Sequence, residues 1–71
     1  MTAKEMFEAL GFELQFYSNG NQMCYEDKDN VLEDICFYVE EKNISTTLYN
    51  LPPELIKAIY KQCQELGWLD D

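Results

Sequence analysis

A chain of 71 residues that is 46% hydrophobic and 14% aromatic is too apolar for intrinsic disorder, and it is long enough for one domain with a thin core, burying only about 60% of the surface its unfolded chain would expose. Fourteen acidic residues against five lysines, with neither Arg nor His, give a formal charge of −9, which disfavours direct nucleic-acid binding and attachment to an anionic membrane surface because both draw on cationic side chains. Any macromolecular partner is expected to be a protein, basic or neutral.

The first element is a helix. Thr2-Ala3-Lys4-Glu5 has the form of a capping box, with the Thr2 hydroxyl on the amide of Glu5 and the Glu5 carboxylate on that of Thr2. Ala3, Met6, Phe7 and Leu10 then fall on one side of the wheel, and Gly11 supplies the left-handed residue that ends it. Phe12, just beyond, is placed to fold back on Phe7.

From Phe12 the hydrophobic period becomes two. Phe12, Leu14 and Phe16 alternate with Glu13, Gln15 and Tyr17, and Asn19-Gly20 is the preferred pair for a two-residue type I′ hairpin. That turn sets Phe16 against Met23 and Leu14 against Tyr25. The meander continues if Tyr25 pairs with Ile35 and Met23 with Phe37, then Val39 with Ile44 and Ile35 with Leu48 across a turn at 40–43. All these residues share one face, as a register must when helices cover that face.

A second helix follows Pro53, which suits a first helical position. Leu55, Ile56, Ile59, Tyr60, Cys63 and Leu66 share one broad arc, and Lys57, Lys61, Gln64 and Glu65 share the other. Gly67 ends it, with Trp68 placed to cover Cys63. The expected fold is α+β, one domain over residues 1–71: an N-terminal helix, an antiparallel meander of three to four strands and a C-terminal helix, both helices on one face of the sheet. The longest apolar run, residues 35–39, is far too short to span a bilayer, and the first residues lack a signal-peptide pattern. A cytoplasmic setting is therefore expected.

Chemistry is sparse. The stretch YEDKDNVLED crowds Glu26, Asp27, Asp29, Glu33 and Asp34 into ten positions. Read as a calcium loop from Asp27, it puts Val31, Leu32 and Tyr38 at positions where an oxygen ligand, a Gly and a bidentate Glu are needed. The run reads instead as a solvated turn between strands, with a charge-based recognition surface as the sharper alternative. General acid/base catalysis lacks a histidine, and cysteine catalysis lacks an adjacent activating base or cation. No enzyme activity, cofactor or metal is expected. Cys24, Cys36 and Cys63 are odd in number and lack a C-x-x-C pair, so they read as half-buried free thiols in a reducing compartment.

The remaining feature is the other face of the sheet. Strand parity places Tyr17, Cys24, Cys36, Tyr38, Thr47 and Tyr49 there, with Glu13, Glu26 and Asp34 toward its border. Tyrosines among small uncharged residues inside a charged rim resemble an interface. The plain structural reading is cross-strand tyrosine packing on an exposed sheet.

The segments TAKEMFEALGFE and ELIKAIYKQCQELGW resemble the terminal segments of short acidic proteins encoded by phages and prophages of Gram-positive bacteria. Those proteins carry Thr or Ser before the Pro of the second helix, whereas this chain has Pro52 and lacks that side-chain cap. The resemblance implies a mobile-element context and action in the cytoplasm of a bacterial host, and it transfers no activity and no site residues. Three readings follow from the residues: a non-enzymatic accessory protein binding another protein through its open sheet face, an acidic inhibitor occupying a nucleic-acid groove of a host enzyme, and a structural or assembly protein that forms a homodimer.

Overall fold

The computed structural model describes residues 1–69. Helix α1 (Ala3–Ala9) begins at the capping box, with Glu5 N donating to Thr2 Oγ1 at 3.1 Å and Thr2 N to Glu5 Oε1 at 2.8 Å. The second of these bonds holds the Glu5 carboxyl below its usual range. Seven residues are too few for a helix that stands alone in water. Tertiary contacts hold it instead: Ala3 and Phe7 are fully buried, and Ala3 N donates to Glu65 Oε2 at 2.8 Å, so the far helix caps this one. Leu10, expected on the buried side, is exposed because it is already the C-cap residue, outside the helical repeat.

The four strands β1 (Phe12–Tyr17), β2 (Gln22–Asp27), β3 (Asp34–Tyr38) and β4 (Asn43–Thr46) form one antiparallel sheet in chain order. Phe16 opposes Met23, Leu14 opposes Tyr25, Tyr25 opposes Ile35 and Met23 opposes Phe37, as the hydrophobic alternation requires. At the β1–β2 turn, Asn19 and Gly20 take φ of 56° and 88° and Asn21 N donates back to Ser18 O, which has the handedness of a type I′ turn. Ser18 is also left-handed, so the loop has four residues, Ser18 to Asn21, rather than two.

The β3–β4 register differs from expectation by two residues. Phe37 opposes Ile44 and Ile35 opposes Thr46, in place of Val39 with Ile44 and Ile35 with Leu48. Val39 never joins the ladder with β4 because Asn21 takes the start of the loop: Val39 N donates to its carbonyl and Glu40 N to its Oδ1, each at 2.8 Å. A slip of two preserves the facing of every side chain, so the core composition survives the error.

Helix α2 (Pro53–Glu65) starts without a side-chain cap at Pro52 and stops where Gly67, at φ 76°, lets Trp68 N reach Cys63 O at 3.0 Å. Its buried stripe is Leu55, Ala58, Gln62 and Cys63. Ile56 and Tyr60, expected inside, are 47% and 57% exposed. The arc is rotated because α2 packs on α1 as well as on the sheet, which draws the small Ala58 and the polar Gln62 inward.

Both helices cover the face carrying Phe12, Tyr25, Ile35 and Phe37. The Phe7 ring stacks on Tyr25 at 3.9 Å between centroids, and Phe37 meets both edge-on at 6.1 Å. Phe12 turns back edge-on to Phe7, also at 6.1 Å. Tyr25 Oη donates to Gln62 Oε1 at 2.6 Å inside this cluster, so the deepest phenol and the buried amide satisfy one another.

Candidate functional site

The helices leave the opposite face of the sheet open, and the register arranges it in three rows. Tyr17, Gln22, Tyr38 and Asn43 form one row; Gln15, Cys24, Cys36 and Ser45 the middle one; Glu13, Glu26 and Asp34 the third, which Thr47 continues by donating its amide to Asp34 O.

The middle row corrects the expectation of free thiols. Cys24 and Cys36 are joined in a disulfide, leaving Cys63 as the free thiol. The pair can close because β2 and β3 exchange backbone bonds through odd-numbered residues of each strand, shown at the ends by Asp27 N on Glu33 O and Val39 N on Asn21 O. Cys24 and Cys36 therefore form a non-hydrogen-bonded pair, where side chains stand closest, and their Cα atoms are 4.0 Å apart.

No helix covers this face, yet Cys24 and Cys36 are only 2% and 5% exposed. Two tyrosines reach toward or past the middle row. Tyr17 leaves its own row, passes the disulfide row and donates to Glu26 Oε2 at 2.5 Å, and the Tyr38 hydroxyl reaches into the middle row to accept from Ser45 Oγ at 3.2 Å. The carboxylate of Glu26 bonded to its hydroxyl raises the Tyr17 phenol above its ordinary range. Cys24 and Cys36, expected among the contact residues, are buried instead.

The third row sets three carboxylates directly side by side on three adjacent strands. Like charges in opposed cross-strand positions are locally unfavourable. No lysine lies within the row, and residues 12–51 hold eight of the fourteen acids but two of the five lysines. Beside the row lies a depression of about 150 Å³ lined by Glu13, Gln15, Glu26, Asp27, Lys28 and Val31. Glu13, Glu26 and Asp34 lie at the border of the face, as expected, where the register aligns them across three strands. The pairings of Leu14 with Tyr25 and of Tyr25 with Ile35 carried that signal, since each brings the next residue pair, Glu13 with Glu26 and Glu26 with Asp34, into register.

Of the other expected residues, Thr47 continues the row beside Asp34, while Tyr49, Asp29 and Glu33 lie off the strands of this face. Thr47 uses its hydroxyl to accept from Asp34 N at 2.9 Å and to donate to Leu32 O at 2.8 Å, tying the β2–β3 connection to the end of β4. Tyr49 lies beyond β4 in the connection to α2 and is 99% exposed. Asp27 accepts from Asp29 N at 2.8 Å and Asn30 Oδ1 from Leu32 N at 3.1 Å, the side-chain-to-backbone bonds of tight turns. Asp29 and Glu33 belong to the same turn, Glu33 through Asp27 N on its carbonyl. The acidic run is thus turn chemistry at 27–33, with Glu26 and Asp34 flanking it on the strands.

A larger groove, about 190 Å³ and lined by Met1, Met6, Ala9, Leu10, Glu54 and Lys57, lies between the helices. It is apolar and lacks convergent polar groups, which makes the sheet face the better candidate. Among the described residues no helix is long and apolar enough to cross a membrane. Compared with protein-family models, curated proteins and solved structures, the chain matches none.

Proposed function

We propose that this chain is a non-enzymatic accessory protein that binds a basic segment of another protein through its open sheet face. The observation that carries this reading is the row Glu13, Glu26 and Asp34, three carboxylates aligned on adjacent strands with no lysine in the row. A partner presenting Lys or Arg would complement those charges, and the depression beside Glu13 and Glu26, whose three carboxylates outnumber its one ammonium, Lys28, offers room for a further cationic head. Tyr17, bonded to Glu26, adds aromatic surface next to the charges, suited to the stems and planes of the same side chains. The likeness of the chain's two ends to phage and prophage acidic proteins supports an accessory role in a mobile-element setting.

The compartment follows from the state of the Cys24–Cys36 pair. A persistent disulfide belongs to an oxidising setting and a pair kept as thiols to the cytoplasm, which alkylation of protein taken directly from the producing cell distinguishes.

Fluorescence polarisation with labelled peptides matched in length and differing in Lys content tests the reading. Affinity is expected to rise with Lys content, to fall steeply with salt, and to drop about tenfold in Glu26→Gln. Equal affinity for neutral and basic peptides, or no effect of Glu26→Gln, would overturn it. A chain that instead competes with duplex DNA for a nucleic-acid enzyme, while ignoring the peptides, is a decoy inhibitor.

A further inference from the structure

The two edges of the sheet are not equivalent. Lys28 N donates to Gly11 O, which places Gly11, Glu13, Gln15 and Tyr17 at the positions that exchange backbone bonds with β2. Phe12, Leu14 and Phe16 consequently aim their amides and carbonyls away from the sheet. On the opposite edge, Thr47 N on Asp34 O sets Asn43, Ser45 and Thr47 toward β3 and leaves Ile44 and Thr46 outward. That edge is already blunted: Ile44 N donates to Asn43 Oδ1 at 3.0 Å, and the Thr46 hydroxyl folds back on Asp34 O while accepting from Leu48 N.

The β1 edge is blunted only by the charge of Glu13. It is longer than β4 and carries no Pro and no Lys, and Phe16 beside it is 59% exposed although its parity is that of the core face. The carboxylate row also ends at this edge, on Glu13.

We infer that the β1 edge accepts an extended strand of the partner, added antiparallel, in which basic residues alternate with apolar ones. This rests on the proposed function and gives it a geometry. The rest of the sheet is antiparallel, and side chains of directly opposed residues share a face. A residue opposite Glu13 lies on the open face and extends the carboxylate row by one position, where a Lys or Arg neutralises it. Residues opposite Leu14 and Phe16 lie on the helix side, where an apolar side chain covers the exposed Phe16 ring. Backbone bonds form between Leu14 and Phe16 and those apolar residues. A second copy of this chain fits less well, because its own β1 adds one more carboxylate, a second Glu13, and brings no cation to the row.

The test uses one short capped peptide alternating Lys and Val, N-methylated in two ways. Methylation at every Lys blocks the edge facing away from the protein, and methylation at every Val blocks the edge facing Leu14 and Phe16; charge and composition are the same. The Lys-methylated peptide is expected to bind, to slow hydrogen exchange at the Leu14 and Phe16 amides, and to exceed the Val-methylated one about tenfold or more in affinity. If both bind equally and both weaken with salt, edge pairing is overturned while the basic-segment reading stands. If neither binds at low salt, both fall. If the Leu14 and Phe16 amides are protected without peptide, in proportion to protein concentration, a second copy holds the edge and the inference is overturned.

Discussion

Tyr25 and Gln62 close the core by a 2.6 Å hydrogen bond between a strand and a helix, each partner less than 5% exposed. Neither group has water to fall back on, so the bond is worth most when one partner is lost. Gln62→Leu is expected to cost about 1–3 kcal/mol by leaving the Tyr25 hydroxyl without an acceptor. Adding Tyr25→Phe should recover much of that loss, measured as a double-mutant cycle in urea. Full additivity of the two substitutions would show that the bond contributes nothing.

The same phenol ties stability to alkaline pH. Burial, with the negative charges of Glu65 and Glu8 nearby, pushes Tyr25 up to about 12. The folded chain then holds this proton more tightly than the unfolded one, in which the group has its ordinary value near 10. The stabilisation is fully present below about pH 10 and is lost as pH rises through about 12. Tyr25→Phe should flatten that alkaline loss in a series of melts; an unchanged slope would place its origin elsewhere.

The disulfide makes a prediction that free thiols cannot. Cys24 and Cys36 are separated by 12 residues in sequence, and closing a loop near that size stabilises by about 2–3 kcal/mol in the chain-entropy account. Reduction should lower the urea midpoint accordingly, and a double Ser substitution should show the same loss with or without reductant. In the native oxidised protein, alkylation should be slow throughout, because Cys63 is buried and its thiol is raised by that burial. Rapid labelling of two sites without reductant would contradict the bond.

Relieving the carboxylate row should stabilise the fold while impairing the function proposed for it. Glu13 opposes Glu26 directly and accepts only an exposed side-chain bond from Gln15 at 3.2 Å. Glu13→Gln is therefore expected to gain a few tenths to about 1 kcal/mol at low ionic strength, shrinking as salt screens the pair. Loss of stability on neutralising Glu13 would mean that the row is not repulsive as folded.

What the sequence made legible was whatever is encoded locally. The Thr2–Glu5 box, the stops at Gly11 and Gly67, the handedness at Asn19-Gly20 and the alternation through β1, β2 and β3 each depend on a few neighbouring residues, and all appear in the structure. What depended on a distant partner was not legible. The slip of β4 comes from Asn21 gripping Val39 and Glu40 across the sheet, and the rotation of the α2 stripe comes from α1 packing on α2. The site divided in the same way. Parity put Tyr17, Tyr38 and the two cysteines on one face, and the expected register already set Cys24 opposite Cys36; their oxidation and the reach of Tyr17 to Glu26 needed three dimensions. Tyr49 was assigned by continuing a strand that stops at Thr46.

Trp68 tests whether the chain beyond α2 belongs to the fold. Its amide donates to Cys63 O at 3.0 Å, which closes the helix, and its ring lies 6.1 Å from that of Phe37 at 49°, partly buried against the core. The backbone bond survives substitution of the side chain, whereas the ring contact does not. Trp68→Ala should therefore cost about 1–3 kcal/mol, less than truncating a fully buried aromatic. Gly67→Ala should cost about 1 kcal/mol for a different reason, since a Cβ at φ 76° is strained although the surrounding space is open. Because both act on the same stop, the double variant should lose less than the sum if the strained cap already lifts the indole from Phe37. Indole fluorescence reports this directly: in the native protein iodide should quench Trp68 only partly, and Gly67→Ala should raise that quenching. Free quenching in the unsubstituted chain, with no loss of stability in Trp68→Ala, would show that the segment after Gly67 does not help hold the core.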